Sequence, residues 1–366
     1  MLETKLKLHA LGCHIFAGGF SIGVEKHFAL LGHLERTSYA VASWQRYRPL
    51  VPVYVDKAAQ WGDAVREHRG RVDWLYANPP CAPWSVSSVG YRRGLDSSLL
   101  DWTRDVVRVG ADVGARVVAI ESVRGALKNG AHFYDALWRE HRSVWGGMMW
   151  VLVNAVDHGL PQDRARLFVV LAPEVFKVIR STTPATTILD AIAGAPADVP
   201  ISSKSIYSPG HGVNPDDIVA CVPLLEPGQR MSSVSPTVLS AVSPQLAESM
   251  AGVKFTAHLP YKLRADAPCP VVYGLPRYVH PTEPRLLTLR ELMRVTGYPD
   301  DFEFVGADQG TACRQLGKTV CPPVGEWLAR EVAAYLRGER AERGGGQVVL
   351  DCASRGGQQQ LTIEDL

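Results

Sequence analysis

Short apolar runs alternate with stretches of helical spacing from residue 6 to residue 170, and this alternation restricts the possible folds more than any other feature of the chain. The runs fall at 6–16, 39–44, 72–76, 116–120, 148–154 and 166–171. Helical spacing falls at 23–31, 99–115 and 131–141, with Trp102, Val106, Val109 and Val113 separated by three and four residues. Apolar runs of this length, separated by amphipathic helices, are buried on both faces as neighbours in a parallel sheet. The pattern predicts an α/β fold built on a doubly wound sheet. Ligands of such sheets bind outside the carboxyl ends of the strands.

The pattern stops after residue 175. From 184 to 284 the chain is rich in Pro, Ser and Gly with little periodicity, which predicts a small irregular domain over 176–284. Helical spacing returns at 288–296 and 323–336, and Thr288-Leu289-Arg290-Glu291 reads as a capping box. The large domain is therefore expected to comprise 1–175 and 285–337. The polar, Gly- and Gln-rich tail, 338–366, is expected to be mobile. With 366 residues, 46% of them hydrophobic, the chain can bury one large core and a smaller one. A net charge of +2 neither requires nor excludes nucleic acid, since a basic cleft can hide in a neutral total. No apolar run approaches the ~18 residues of a membrane span. The N-terminus shows no cleavage pattern for secretion, so a soluble cytoplasmic protein with no membrane partner is expected. The seven cysteines form no C-x-x-C pair and are odd in number, which argues against a zinc site or a disulfide framework.

One cysteine stands apart. In "ANPPCAPWS" (77–85), two prolines force the chain to turn just after an expected strand, and Cys81 sits at the exit of that turn. It can be read as a core thiol, a metal ligand or a nucleophile. Glu121, Arg164 and Arg166 occupy similar strand ends, and Asp63 lies in a loop after Gly62. A thiol, a carboxyl and paired guanidiniums at one sheet edge suggest covalent catalysis with acid assistance.

These segments resemble, in order, the motifs of the DNA cytosine-5 methyltransferase family. "IFAGGFSIGVEK" (15–26) is similar to its cofactor-binding motif, "NPPCAPWS" to the motif of the catalytic cysteine, and "ESV" (121–123) to Glu-Asn-Val. "NAVDHGLPQDRARLFVV" (154–170) is similar to the motif ending Gln-x-Arg-x-Arg. "HPTEPRLLTLRELMRVTGYPDDF" (280–302) and "RQLGKTVCPPV" (314–324) resemble the last two. The match runs over roughly 8–335, and 175–275 falls where the family carries its target-recognition domain.

The resemblance implies a Rossmann-like sheet that uses S-adenosyl-L-methionine, and a double-stranded DNA substrate whose target cytosine is flipped out of the helix. Cys81 would add to cytosine C6, making C5 nucleophilic, and Glu121 would deliver a proton to N3. Arg166 would hold the O2 edge, and Arg164 would steady the backbone. Phe16, Ala17, Gly18, Gly19, Ser43, Trp44, Asp63, Pro80, Lys318 and Thr319 would line the cofactor. The segment 83–101 would close on DNA, with Ser85, Ser87, Ser88, Arg92 and Arg93 meeting the backbone. No metal is implied, and a monomeric bacterial or phage-encoded enzyme is expected.

The chain departs from the family pattern in four places. The glycine loop, Phe16-Ala17-Gly18-Gly19-Phe20, lacks two residues, and His14 stands where an acidic residue is usual. Ser43 and Trp44 align with the second motif, leaving the aromatic group and losing the ribose-holding glutamate. Ser122 replaces the Asn after Glu121. Lys318 replaces the Asn of the last motif, close to the transferred group. A cation there disfavours a sulfonium and favours a carboxylate. This raises carboxy-S-adenosyl-L-methionine as the donor and 5-carboxymethylcytosine as the product. Three other readings stand beside this one: a non-catalytic DNA-binding homologue, an enzyme of free nucleotides, and an amino-methyltransferase. Asn78-Pro79-Pro80 invites the last, although Cys81 occupies the position where such enzymes carry an aromatic residue.

Overall fold

The computed structural model describes residues 7–36, 38–55, 60–85, 94–198, 201, 215–244, 247–248, 259–272, 274, 277–340, 346–352 and 359–361. They group into two compact units. The larger draws on Met1–His158, Ala165–Thr183 and Thr319–Leu366, and the smaller on Gly159–Arg164 and Pro184–Lys318.

The larger unit is a Rossmann-like α/β sheet. Its strands are β1 (His9–Cys13), β2 (Ala29–Glu35), β3 (Val53–Val55), β4 (Trp74–Ala77), β5 (Val117–Ser122) and β6 (Gly147–Asn154), followed after the two-residue β7 (Gln162–Asp163) of the smaller unit by β8 (Ala165–Ala172). The described order is β6-β8-β5-β4-β1-β2-β3, extended beyond β6 by the C-terminal chain. β1, β2, β3, β4 and β5 run parallel, and β8 lies antiparallel between β5 and β6. Every side chain of β4 and β5 is buried, as expected for central strands covered on both faces. Helices α1 (Gly19–Val24), α2 (Ser38–Tyr47), α3 (Gln60–His68), α4 (Leu100–Val113), α5 (Gly125–Asn129) and α6 (Ala131–Glu140) lie between the strands in sequence.

The return helix Pro322–Leu336 packs against α1 at a distance set by two glycines. A Cβ on Gly23 would stand 2.3 Å from the Glu326 nitrogen and 2.4 Å from the Pro322 oxygen. One on Gly325 would stand 3.0 Å from the Phe20 oxygen. The helix that opens at the glycine loop is thereby seated on the end of the chain.

Three sequence expectations are corrected here. Residues 39–44 are helix within α2, not a strand, and the second strand is β2, partly covered by the helix expected at 23–31. His33 interrupts the apolar run of β2, and it is buried because a polar network receives it. The tail is also not mobile throughout. Its strand β9 (Gly346–Asp351) pairs in parallel with β6, and β10 (Gln359–Leu361) pairs antiparallel with β9. Val348, Val349 and Leu350 are buried. This short β-forming run covers what would otherwise be an open sheet edge.

In the smaller unit, helix Leu289–Thr296 carries the capping box expected at Thr288 and Glu291, and it packs on helix Ile188–Ile192. A small core gathers Cys221, Val222, Leu225, Met231, Leu239, Val279 and Leu286. The unit ends at Lys318 instead of 284, because the segment from 289 to 318 packs on its helices.

Candidate active site at the strand ends

The loop after β1 turns within a few residues. His14, Phe16 and Gly18 take left-handed backbone angles, φ 56°, 48° and 74°. Two of these are not glycine, a costly conformation that shows how a loop short of two residues still closes. A Cβ on Gly18 would stand 2.6 Å from the Trp44 ring. Glu35, at the carboxyl end of β2, supports the loop by accepting from the Ile15 amide. Burial pushes its carboxyl up to about 8, against the opposing pull of the Ile15, Phe16 and Arg36 amides. Below the loop, Ser21 Oγ lies 3.1 Å from His33 Nε2, and the Tyr76 hydroxyl donates to Ser21 Oγ at 2.8 Å. α1, β2 and β4 are tied together through these three side chains.

Beside the loop stands an aromatic cluster that the sequence reading did not single out. The His14 ring lies 5.4 Å from Trp61 and 4.7 Å from Trp102, centre to centre. The Arg36 guanidinium sits over both indoles at 5.4 and 4.9 Å and pairs with Asp105. Both nitrogens of the His14 ring are buried without a hydrogen-bond partner. Orphaned polar atoms between flat aromatic walls, next to a strand-end carboxylate, fit a nucleoside donor. Glu35 had a readable signal, an acidic residue some 20 positions after a glycine loop. Trp102 had none, because helical spacing also explains it as core, and Trp61 lies in α3, which the sequence pattern did not mark.

At the ends of β4 and β5 the reactive groups assemble. Cys81 follows β4 and is half-buried, whereas the other six free cysteines are buried. Glu121 lies near the end of β5 and is 2% exposed. Arg166 on β8 pairs with it, Nε to Oε1, at 2.8 Å. Asn78 donates from Nδ2 to Glu121 Oε2 at 2.6 Å. Tyr134 on α6 feels the charges of both Glu121 and Cys81, and burial pushes its phenol up to about 12.

The remaining expected residues divide. Arg164 is buried and donates to the carbonyls of Val272 and Gly317, both at 2.9 Å, so it braces backbone next to Lys318. Lys318 ends helix Gln309–Lys318, and Thr319 is buried where the larger unit resumes. Phe16, Ala17, Gly18 and Gly19 lie in the loop or at the start of α1, and Pro80 is half-buried beside Cys81. Ser43 and Trp44 do not lie at a strand end. They are buried in α2, and Trp44 packs under Gly18. A carboxyl group does stand at a neighbouring strand end, that of Glu35 at the end of β2. Asp63 is exposed on α3 and pairs with Arg66. Ser85 is half-buried, whereas Ser87, Ser88, Arg92 and Arg93 lie outside the described residues. Among the described residues no helix is long and apolar enough to cross a membrane.

A Rossmann-like sheet with these groups at its strand ends has the architecture of an S-adenosylmethionine-dependent methyltransferase. The sequence comparison narrows the class. A model of C-5 cytosine-specific DNA methylase matches residues 14–191 and 229–334, well over half of the chain, and the chain belongs to that family. The type II methyltransferase M.AplI of Arthrospira platensis is 27% identical to it over 360 residues, 92% of this chain and 90% of that one. M.XorII of Xanthomonas oryzae pv. oryzae is 27% identical over 374 residues, 89% of this chain and 85% of its own. The solved structure of a prophage-encoded E. coli protein shares the fold with a TM-score of 0.62 at 19% identity, covering 90% of this chain and 99% of that one.

Proposed function

We propose that the protein alkylates C5 of cytosine in double-stranded DNA, with Cys81 as nucleophile. The observation that carries this reading is the half-buried Cys81 after β4 beside the Glu121–Arg166 pair at the end of β5. The Cys81 thiolate adds to C6 of a flipped cytosine. The ring electrons shift so that C5 becomes enamine-like while N3 takes the proton of Glu121. Arg166 holds Glu121 through Nε and has a guanidinium to offer the O2 edge. The S-adenosyl donor supplies the electrophilic carbon that C5 attacks. Loss of the C5 proton, expulsion of the Cys81 thiolate and return of the N3 proton restore the aromatic ring. Glu35, the loop from His14 to Gly19, Trp61 and Trp102 would hold the nucleoside of the donor.

Trapping tests this reading. Random-sequence duplexes carrying 5-fluorocytosine, incubated with protein and donor, should give a protein–DNA adduct that survives denaturation. The adduct should disappear in Cys81→Ala. A protein that binds the duplex without forming an adduct would instead be a non-catalytic homologue, and turnover of free nucleotides alone would move the substrate class.

Lys318 favours a second reading of the transferred group. It places a cation where the family has an amide, next to the Gly317 carbonyl braced by Arg164. An ammonium group suits the carboxylate of carboxy-S-adenosyl-L-methionine better than a bare sulfonium. The product would then be 5-carboxymethylcytosine. Mass spectrometry of DNA from cells expressing the protein decides between the groups: 5-methylcytosine alone excludes carboxymethyl transfer. Lys318→Asn should shift a mixed product toward methyl.

A further inference from the structure

Asn78 has no part in the reading so far, yet its side chain meets the carboxyl group on which that reading depends. It follows β4 directly and is 2% exposed. Its Nδ2 donates to Glu121 Oε2 at 2.6 Å, while Arg166 engages Oε1 at 2.8 Å. Both carboxylate oxygens therefore have donors, from opposite sides: one from the loop that bears Cys81, the other from β8. The amide cannot be reversed while Glu121 is ionised, because a carboxylate only accepts. The Asn78 oxygen is left buried without a partner. An unsatisfied buried oxygen is unfavourable for folding, so stability alone does not account for an amide here.

We propose that Asn78 is a positioning residue for Glu121, fixing the carboxyl group against the cysteine loop and setting the pH at which it holds its proton. The inference rests on the cytosine C5 reading. Two donors stabilise the ionised carboxylate, so the Glu121 proton is readily given up to N3 as the Cys81 sulfur bonds to C6.

The groups facing Glu121 leave a readable signal. Arg166 stays charged across the accessible range. Tyr134 is pushed up to about 12 and stays neutral below that. The pH profile of adduct formation is then shaped by two groups: the rate rises with Cys81 ionisation until Glu121 ionises and offsets the gain, so Glu121 sets the end of the acid limb and Cys81 the start of the alkaline one. In Asn78→Ala the carboxylate loses a donor, and in Asn78→Asp it gains a like-charged neighbour. Both changes make the proton harder to remove.

The test measures the rate of adduct formation on 5-fluorocytosine duplexes between pH 4 and pH 10, a window that spans the ordinary carboxyl range. It compares the wild type with both variants, using thermal unfolding to verify that each is folded. The acid limb should end at higher pH in both, by about one pH unit or more in Asn78→Asp and by less in Asn78→Ala. If Asn78→Asp does not fold, the shift in Asn78→Ala decides. A limb that stays in place, whether or not the rate falls, reduces Asn78 to a structural residue and overturns the inference. A wild type that forms no adduct at any pH overturns the cytosine reading itself, and the inference with it.

Discussion

Arg166 and Glu121 meet at 2.8 Å from strands that run in opposite directions, β8 and β5. The antiparallel pairing places the beginning of one strand beside the end of the other, so a residue early in β8 reaches a carboxylate late in β5. The contact uses Nε, while Nη1 donates to the Ala165 carbonyl at 2.8 Å, so the guanidinium divides its donors between two directions. Lysine cannot divide its charge in this way. In Arg166→Lys, adduct formation should slow by about 10²-fold or more, the usual worth of a positioned acid–base partner. Duplex binding should change much less. Parallel gel-shift and adduct-rate measurements check both.

The seating of α1 gives a stability prediction. Gly23→Ala drives a methyl group into the Glu326 and Pro322 backbone, which cannot swing aside as a side chain can. The cost should be on the order of 3 kcal/mol or more. Denaturant unfolding of Gly23→Ala beside Gly62→Ala checks it, since a Cβ on Gly62 meets only the far end of Arg66, at 3.5 Å.

Buried histidines predict acid sensitivity. Burial holds His14 and His33 down at about 3 and His158 at about 4. Their unfolded value is near 6.5, so the unfolded chain binds protons first as pH falls. Their contribution is complete above pH 6.5 and is lost progressively below it. Each group removes up to about 1.4 kcal/mol per pH unit. Thermal midpoints between pH 6.5 and pH 5, where most carboxylates stay ionised, should decline. The decline should be shallower in His14→Gln.

The tail strand gives another. Val349 is fully buried within the main core. Val349→Asp places a charge there, and about 3–5 kcal/mol of destabilisation is expected. Urea unfolding of the full chain measures it. A change within experimental error would mean that the strand does not contribute to the core.

How far the sequence carried the reading depends on the kind of signal. β4, β5, β6 and β8 are near-continuous apolar runs, and they appeared within one or two residues of their expected places. Cys81, Glu121 and Arg166 were readable because each sits just beyond or at the edge of such a run and matches an ordered motif. β2 was hidden because Gly32 and His33 break its run. Without β2, the carboxyl group of Glu35 at its end did not stand out as a strand-end residue. Asp63 looked like a loop residue until α3 formed around it. Asn78 was read as part of a motif for another chemistry, since only the fold shows that its amide faces Glu121. Val348, Val349 and Leu350 were too few to stand out from a polar tail. Their partner β6 lies nearly two hundred residues earlier, and no local pattern announces it.

The contact between α1 and helix Pro322–Leu336 also sets a schedule. On the ribosome, α1 emerges early, with Phe20 and Gly23 shaped for a helix that has not yet been made. Every segment of the smaller unit is synthesised before Thr319. The nascent larger unit must therefore remain incomplete, its first helix uncovered, until Pro322–Leu336 has been made. A release of the chain before Pro322 would strand that surface permanently. For this protein, termination ahead of Pro322 should lead to aggregation or proteolysis, not to a shorter enzyme.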